Sequence, residues 1–98
     1  MKRREAIRAL KEHADTVRKM GVTALYLFGS TGRDSAAALS DLDIFIDYDL
    51  GGRFSLIELV GIKQFLEGRL GVEVDLTTRD SLDPLLRGRI EASAERVF

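Results

Sequence analysis

The sequence contains no cysteine, which excludes a disulfide framework, a thiolate zinc site and a thiol nucleophile. Its single histidine, His13, leaves no basis for an imidazole-built metal centre, so a divalent ion would have to be held by carboxylate oxygens. There is no signal-type or membrane-length apolar stretch, which predicts a cytoplasmic protein without membrane association. Nor is there an excess of either charge. Fifteen Lys and Arg stand against 16 Asp and Glu, so no global positive field draws in a polynucleotide, and direct nucleic-acid binding is not expected. Repeats, low-complexity tracts and linkers are also missing. At 98 residues the chain is expected to form one domain, 1–98, with one modest core and no second lobe.

What is present alternates between helical and extended patterns. Ala6, Ile7, Ala9, Leu10, Ala14, Val17 and Met20 recur near helical spacing, predicting one amphipathic helix over about the first twenty residues that ends at Gly21. The run from Val22 to Phe28 has the length and β-branching of a strand buried on both faces, closed by Gly29, with a short helical turn after Ser30. Leu42, Ile44, Ile46 and Tyr48 then alternate with Asp41, Asp43, Phe45, Asp47 and Asp49, a period of two that defines a strand with one acidic side. Gly51-Gly52 breaks it. Ser55-x-x-Glu58 reads as a capping box opening a helix with Leu56, Leu59, Val60, Ile62, Phe65 and Leu66, stopped by Gly68 or Gly71.

The segment Val72 to Thr77 alternates again, with Val72, Val74 and Leu76 on the inner side and Glu73, Asp75 and Thr77 on the other. Asp83-Pro84 supplies a cap and a first-turn proline for a last helix, with Leu85, Leu86 and Ile90 as its apolar stripe. Residues 95–98 read as an edge strand or a frayed tail. Strands separated by helices predict an α/β (α+β) fold, a small sheet with helices packed against it.

The chemistry concentrates in residues 29–43. Gly29 offers no side chain to obstruct an approaching phosphate, Ser30 adds a hydroxyl, and backbone amides opening a following helix would carry partial positive charge. Ten residues on, Asp41 and Asp43 lie two apart on a strand, on one face and roughly 6.6 Å apart along the chain. Carboxylates that close repel one another unless cations relieve them. Two magnesium ions about 3.5 to 4 Å apart can clamp both the attacking and the leaving oxygen of an in-line displacement. Asp75, on the corresponding side of another strand, would add a third carboxylate, and because aspartate is disfavoured in strands its presence there favours a functional use over an ordinary polar position. Each feature also has an ordinary reading: Gly-Ser pairs are common in turns, and charged strands resist aggregation.

These residues carry a resemblance. Leu-Phe-Gly-Ser-x-x-Arg from Leu27 to Arg33, Ser-Asp-Leu-Asp-Ile-Phe-Ile-Asp from Ser40 to Asp47 and Gly-Val-Glu-Val-Asp-Leu-Thr-Thr from Gly71 to Thr78 make the chain similar to the minimal nucleotidyltransferases of the DNA polymerase β superfamily. Members of that family often serve as antitoxins beside a HEPN-domain partner. The resemblance implies the polymerase β-like nucleotidyltransferase fold with a mixed sheet. It implies triphosphate binding at Gly29, Ser30 and Arg33, and magnesium, in two ions, at Asp41, Asp43 and Asp75 as catalytic carboxylates. ATP would be the substrate, and AMP would pass to a tyrosine of a HEPN toxin in a complex of a type VII-like toxin–antitoxin pair. Gly32 and Asp34 depart from the family pattern, which usually has alanine and glycine there. Two other functions compete with this one: an antitoxin that neutralises by binding alone, and a stand-alone enzyme acting on a small hydroxyl compound.

Other charged residues receive plainer expectations. His13, Lys2, Arg3 and Arg4 are read as solvated. Asp47 and Asp49 are read as solubilising charges on the acidic strand. Arg79, Arg87 and Arg89 are divided between a partner contact and exposed helix charges.

Overall fold

A computed structural model describes residues 2–28 and 42–98, in which four strands form one sheet carrying helices. The elements are α1 (Arg3–Glu12), α2 (Ala14–Lys19), β1 (Val22–Phe28), β2 (Leu42–Tyr48), α3 (Leu56–Leu70), β3 (Val74–Thr78), a short 3-10 turn (Arg79–Ser81), α4 (Arg87–Ser93) and β4 (Glu95–Arg96). The strand order is β3-β2-β1-β4. β1 runs antiparallel to β2 and β4, while β2 and β3 are parallel across the α3 crossover. The sheet is therefore mixed, as expected for the fold.

The first twenty residues form two helices rather than one. At His13 (φ −103°, ψ 10°) the chain leaves helical geometry, and the His13 amide donates to Leu10 O at 3.1 Å, a tightened last turn of the kind that ends helices. The break keeps Ala6 and Leu10 of α1, and Ala14 and Val17 of α2, turned into the core. His13 itself is only part exposed, its ring meeting Phe65 edge-on at 5.5 Å. It serves as packing between α2 and α3 rather than as a solvated residue.

Gly21 follows α2 at φ +107°, and a Cβ there would come within 3.0 Å of the Phe54 ring. Both conformation and space therefore call for glycine. α3 begins with the predicted capping box: Ser55 Oγ accepts from Ile57 N at 3.3 Å and the Ser55 amide donates to Glu58 Oε1 at 2.8 Å. It ends at Gly71 in the left-handed region (φ +71°), whose amide closes on Glu67 O at 2.9 Å. The Glu67 carboxylate then reaches past the helix end, accepting from Lys63 Nζ at 2.8 Å and from the Val74 amide at 3.0 Å. Those two bonds, Lys63 first, hold Glu67 below its ordinary pKa.

One side of the sheet presents Leu25, Leu27, Ile44, Ile46, Val74 and Leu76, and these join Ala6, Leu10, Val17, Ile62 and Leu66 of the helices in a single buried cluster. Of residues 95–98, Glu95–Arg96 form the edge strand β4, in which Leu27 pairs with Glu95, and Val97 N continues the contact by donating to Leu25 O at 2.8 Å. The last helix corrects another expectation. α4 buries no residue, and Leu85 and Leu86 stand in solvent, because Asp83 caps a turn at residues 84–86, donated to by Leu85 N at 2.9 Å, and the helix begins only at Arg87.

Candidate active site

Strand register assembles the opposite side of the sheet. Phe28 of β1 pairs with Asp43 of β2, and Asp43 with Asp75 of β3, so these three form one row across three strands. Directly paired residues point to the same face. Neighbouring strands lie about 4.8 Å apart, which brings the two carboxylates within reach of a shared cation. Asp75 is exposed and Asp43 part exposed. Phe28 immediately precedes Gly29, so the chain enters the Gly-Ser segment from a position opposite Asp43.

Of the residues singled out from the sequence, Asp43 and Asp75 are thus brought together. Gly29, Ser30, Arg33 and Asp41, with the short helical turn expected after Ser30, lie outside the described residues. Among the described residues no group of three or more metal-ligating side chains is assembled. The Asp43 and Asp75 pair fits a hard divalent ion in donor chemistry, since both ligands are carboxylate oxygens of the kind magnesium prefers.

One row further along, Tyr26, Phe45 and Thr77 are paired. Tyr26 stacks on Phe45 with centroids 4.7 Å apart and planes 13° apart, and Phe28 tilts onto the same ring at 5.5 Å. Phe45 is fully buried although it lies on the side of the acids, because Arg79 roofs it. The guanidinium carbon sits 4.8 Å from the Tyr26 centroid and 5.0 Å from that of Phe45. Arg79 also grips Asp47 with two bonds, Nε to Oδ1 at 2.8 Å and Nη2 to Oδ2 at 3.1 Å, and donates from Nη1 to Glu91 at 2.5 Å. Arg87 adds a longer 3.6 Å contact to Glu91.

Hydrogen bonds to Asp47 and then Glu91 push the Arg79 guanidinium above even its usual range, so it is a permanent cation. The same contact lowers the Glu91 carboxyl. Asp47 and Arg79 are therefore the two ends of an internal clamp that ties β2, the 3-10 turn and α4 together over the aromatic row. Neither is the solubilising or partner-facing charge expected from the sequence. Only the placement of Asp47 on the same side as Phe45 hinted at this, and nothing local pointed to a partner 32 residues away.

The far end of β2 and β3 carries a different cluster. Tyr48 Oη donates to Asp80 at 2.8 Å, and the Thr78 hydroxyl also bonds Asp80. These bonds, Thr78 first, lower the Asp80 pKa, while Asp80 raises that of Tyr48. A cavity of about 400 Å³ beside them is lined by Phe54, Leu56 and Leu59 among others. It lies apart from the row of Asp43 and Asp75.

Comparison with known proteins agrees with this fold. Residues 10–97 match the family described as "Nucleotidyltransferase domain". A Methanocaldococcus jannaschii protein assigned as a protein adenylyltransferase is 43% identical over 72 residues, covering 74% of this chain and 75% of that protein. The protein adenylyltransferase MntA of Thermococcus cleftensis is 36% identical over 64 residues, covering 65% and 63%. A solved structure described as a minimal nucleotidyltransferase superposes with a TM-score of 0.73 at 33% identity, over 93% of this chain and 92% of that one. An antitoxin of Shewanella oneidensis, solved with its tri-AMPylated HEPN toxin, shares the fold with a TM-score of 0.65 at 19% identity, over 94% and 71%.

Proposed function

Because the chain belongs to the minimal nucleotidyltransferases, and is therefore a nucleotidyltransferase, we propose that it transfers AMP from ATP to a protein hydroxyl, a tyrosine of a HEPN-domain toxin, and so acts as that toxin's antitoxin. The observation that carries this reading is the pairing of Asp43 with Asp75 in one row beside the entry to Gly29. The adenylyltransferase relatives and the toxin-bound structural neighbour support the choice of a protein acceptor.

In this mechanism Gly29, Ser30 and Arg33 receive the triphosphate, while Asp41, Asp43 and Asp75 would hold magnesium, which when bound would supply positive charge to offset that developing on the phosphates. The chain's own part is alignment. Strand register holds the backbones of Asp43 and Asp75 at fixed separation, so both carboxylates leave the same face of the sheet from neighbouring positions. Asp75, the more exposed of the two, faces the acceptor and takes the proton of the tyrosine hydroxyl. The hydroxyl oxygen bonds to the α-phosphorus as the bond to the β-phosphate oxygen breaks, yielding AMP-tyrosine and pyrophosphate.

The experiment combines the purified chain, ATP, magnesium and a HEPN-domain protein that forms a complex with it, with intact mass spectrometry of that protein. The expected result is a gain of one or more adenylyl groups, and Asp43→Asn is expected to slow it by at least about a hundredfold, since a metal clamp supplies several kcal/mol of transition-state stabilisation. Neutralisation of the toxin without any gain in mass, unchanged in Asp43→Asn, would establish an antitoxin that works by binding alone.

A further inference from the structure

The net charge of the chain is −1, yet its positive charge is unevenly placed. Arg4, Arg8 and Lys11 recur at i, i+4 and i+7, on one exposed stripe of α1, spread over roughly 10 Å of helix axis. With Ile7 and Glu95 they line a groove of about 340 Å³. Among the described residues none of the three cations has an ion-pair partner, whereas Glu95, which lines the groove with them, is already engaged by Arg3 at 3.3 Å. The groove is thus a row of three cations outside the described ion pairs, beside a part-buried apolar residue, Ile7.

Its position matters as much as its charge. Arg3 Nη2 donates to Leu27 O at 3.3 Å, and Leu27 pairs with Glu95. Leu27 is the neighbour of Phe28, the first member of the row that includes Asp43 and Asp75. The N-terminal end of α1, and with it the Arg4 end of the groove, therefore lies near the Phe28 end of β1, with α1 itself packed on the sheet side opposite to Asp43 and Asp75.

We propose that this groove docks an acidic segment of the acceptor protein, an inference that rests on the reading of the chain as a protein adenylyltransferase. Guanidinium groups match carboxylates as planar forks, and Ile7 offers a contact for one apolar side chain between the acidic ones. A single-stranded polynucleotide fits less well, since its unpaired bases are held by aromatic platforms and among the described residues the groove has no aromatic lining. Docking here would hold a protein substrate at the end of the sheet where its hydroxyl must arrive. That supplies a grip on the acceptor from the small domain itself.

The test measures binding without catalysis. The Asp43→Asn protein, without ATP or magnesium, is titrated into a short fluorescein-labelled peptide of aspartate and glutamate with one central leucine, and separately into an oligoribonucleotide of equal charge, following anisotropy. The expected outcome is saturable peptide binding that weakens with salt. It should fall at least about tenfold in Arg4→Glu/Arg8→Glu/Lys11→Glu and in the corresponding triple glutamine variant, both keeping the native circular dichroism spectrum. Absence of saturable binding, equal binding by both triple variants, or tighter binding of the oligoribonucleotide through the same residues would overturn the proposal. None of these results depends on AMP transfer, so failure of the groove and failure of the adenylyltransferase reading are separately visible.

Discussion

Replacing Arg79 by methionine tests the clamp over the aromatic row. The substitution keeps much of the aliphatic stem but deletes the fork to Asp47, the bond to Glu91 and two ring contacts. Arg79 and Asp47 side chains are 26% and 34% exposed, so their ion pair falls between the surface and buried cases and is worth about 1 kcal/mol after solvent screening. Two cation–π contacts at a partly exposed site add about 0.5–1 kcal/mol each. The expected loss is thus about 2–3 kcal/mol, which for a domain of this size lowers the melting temperature by roughly 8–24 °C. Arg79→Lys retains the charge but not the fork, and should recover only part of the loss. Differential scanning calorimetry on Arg79→Met, Asp47→Asn and the double variant gives the coupling energy directly, expected at about 1 kcal/mol. If Arg79→Met melts within about 2 °C of the parent, or if the two substitutions are additive, the clamp does not hold the face together and the geometry has been misjudged.

Further outcomes follow from the same contacts. Gly21→Ala should destabilise by about 1–3 kcal/mol, read by urea denaturation, because Gly21 sits at φ +107° with Phe54 only 3.0 Å from a new Cβ; a neutral effect would mean that the turn relaxes freely. Ser55→Ala should cost about 1 kcal/mol by removing the α3 cap, and an unchanged denaturation midpoint would show the cap to be dispensable. Glu67, Asp80 and Glu91 all have folded-state pKa values below their ordinary ones. As acid is added the unfolded chain takes up protons first, so their stabilisation is complete above about pH 5.5 and is lost as pH falls through about 4.5 and below. Tyr48 behaves oppositely: its raised pKa gives stability present below its ordinary value of 10.0 and lost as pH rises beyond it. Melting temperatures of Tyr48→Phe and the parent across the alkaline range check this, and parallel curves would count against the bond to Asp80.

Much of the architecture was legible locally. The period of two along Leu42 to Tyr48 and Val74 to Thr78 is a property of consecutive residues, and so is the side on which Asp43 and Asp75 lie. The capping box at Ser55 and the stop at Gly71 are equally short-range, involving groups within one or two turns. The expectations for Gly29, Ser30, Arg33 and Asp41 rest on spacing and resemblance, and these residues lie outside the described ones.

Tertiary structure decided what stands beside what. That Asp43 faces Asp75 depends on the parallel register of β2 and β3, set by the path of α3 and by burial of Ile44 and Leu76 on the other side. The break at His13, the solvent exposure of Leu85 and Leu86, and the roofing of Phe45 by Arg79 were invisible for the same reason. Periodicity records which side of an element is apolar, whereas the partner that covers a side chain comes from elsewhere in the chain. Asp47 looked like a strand charge until folding placed a guanidinium against it, since an ion pair between distant residues leaves no mark on the local pattern of either.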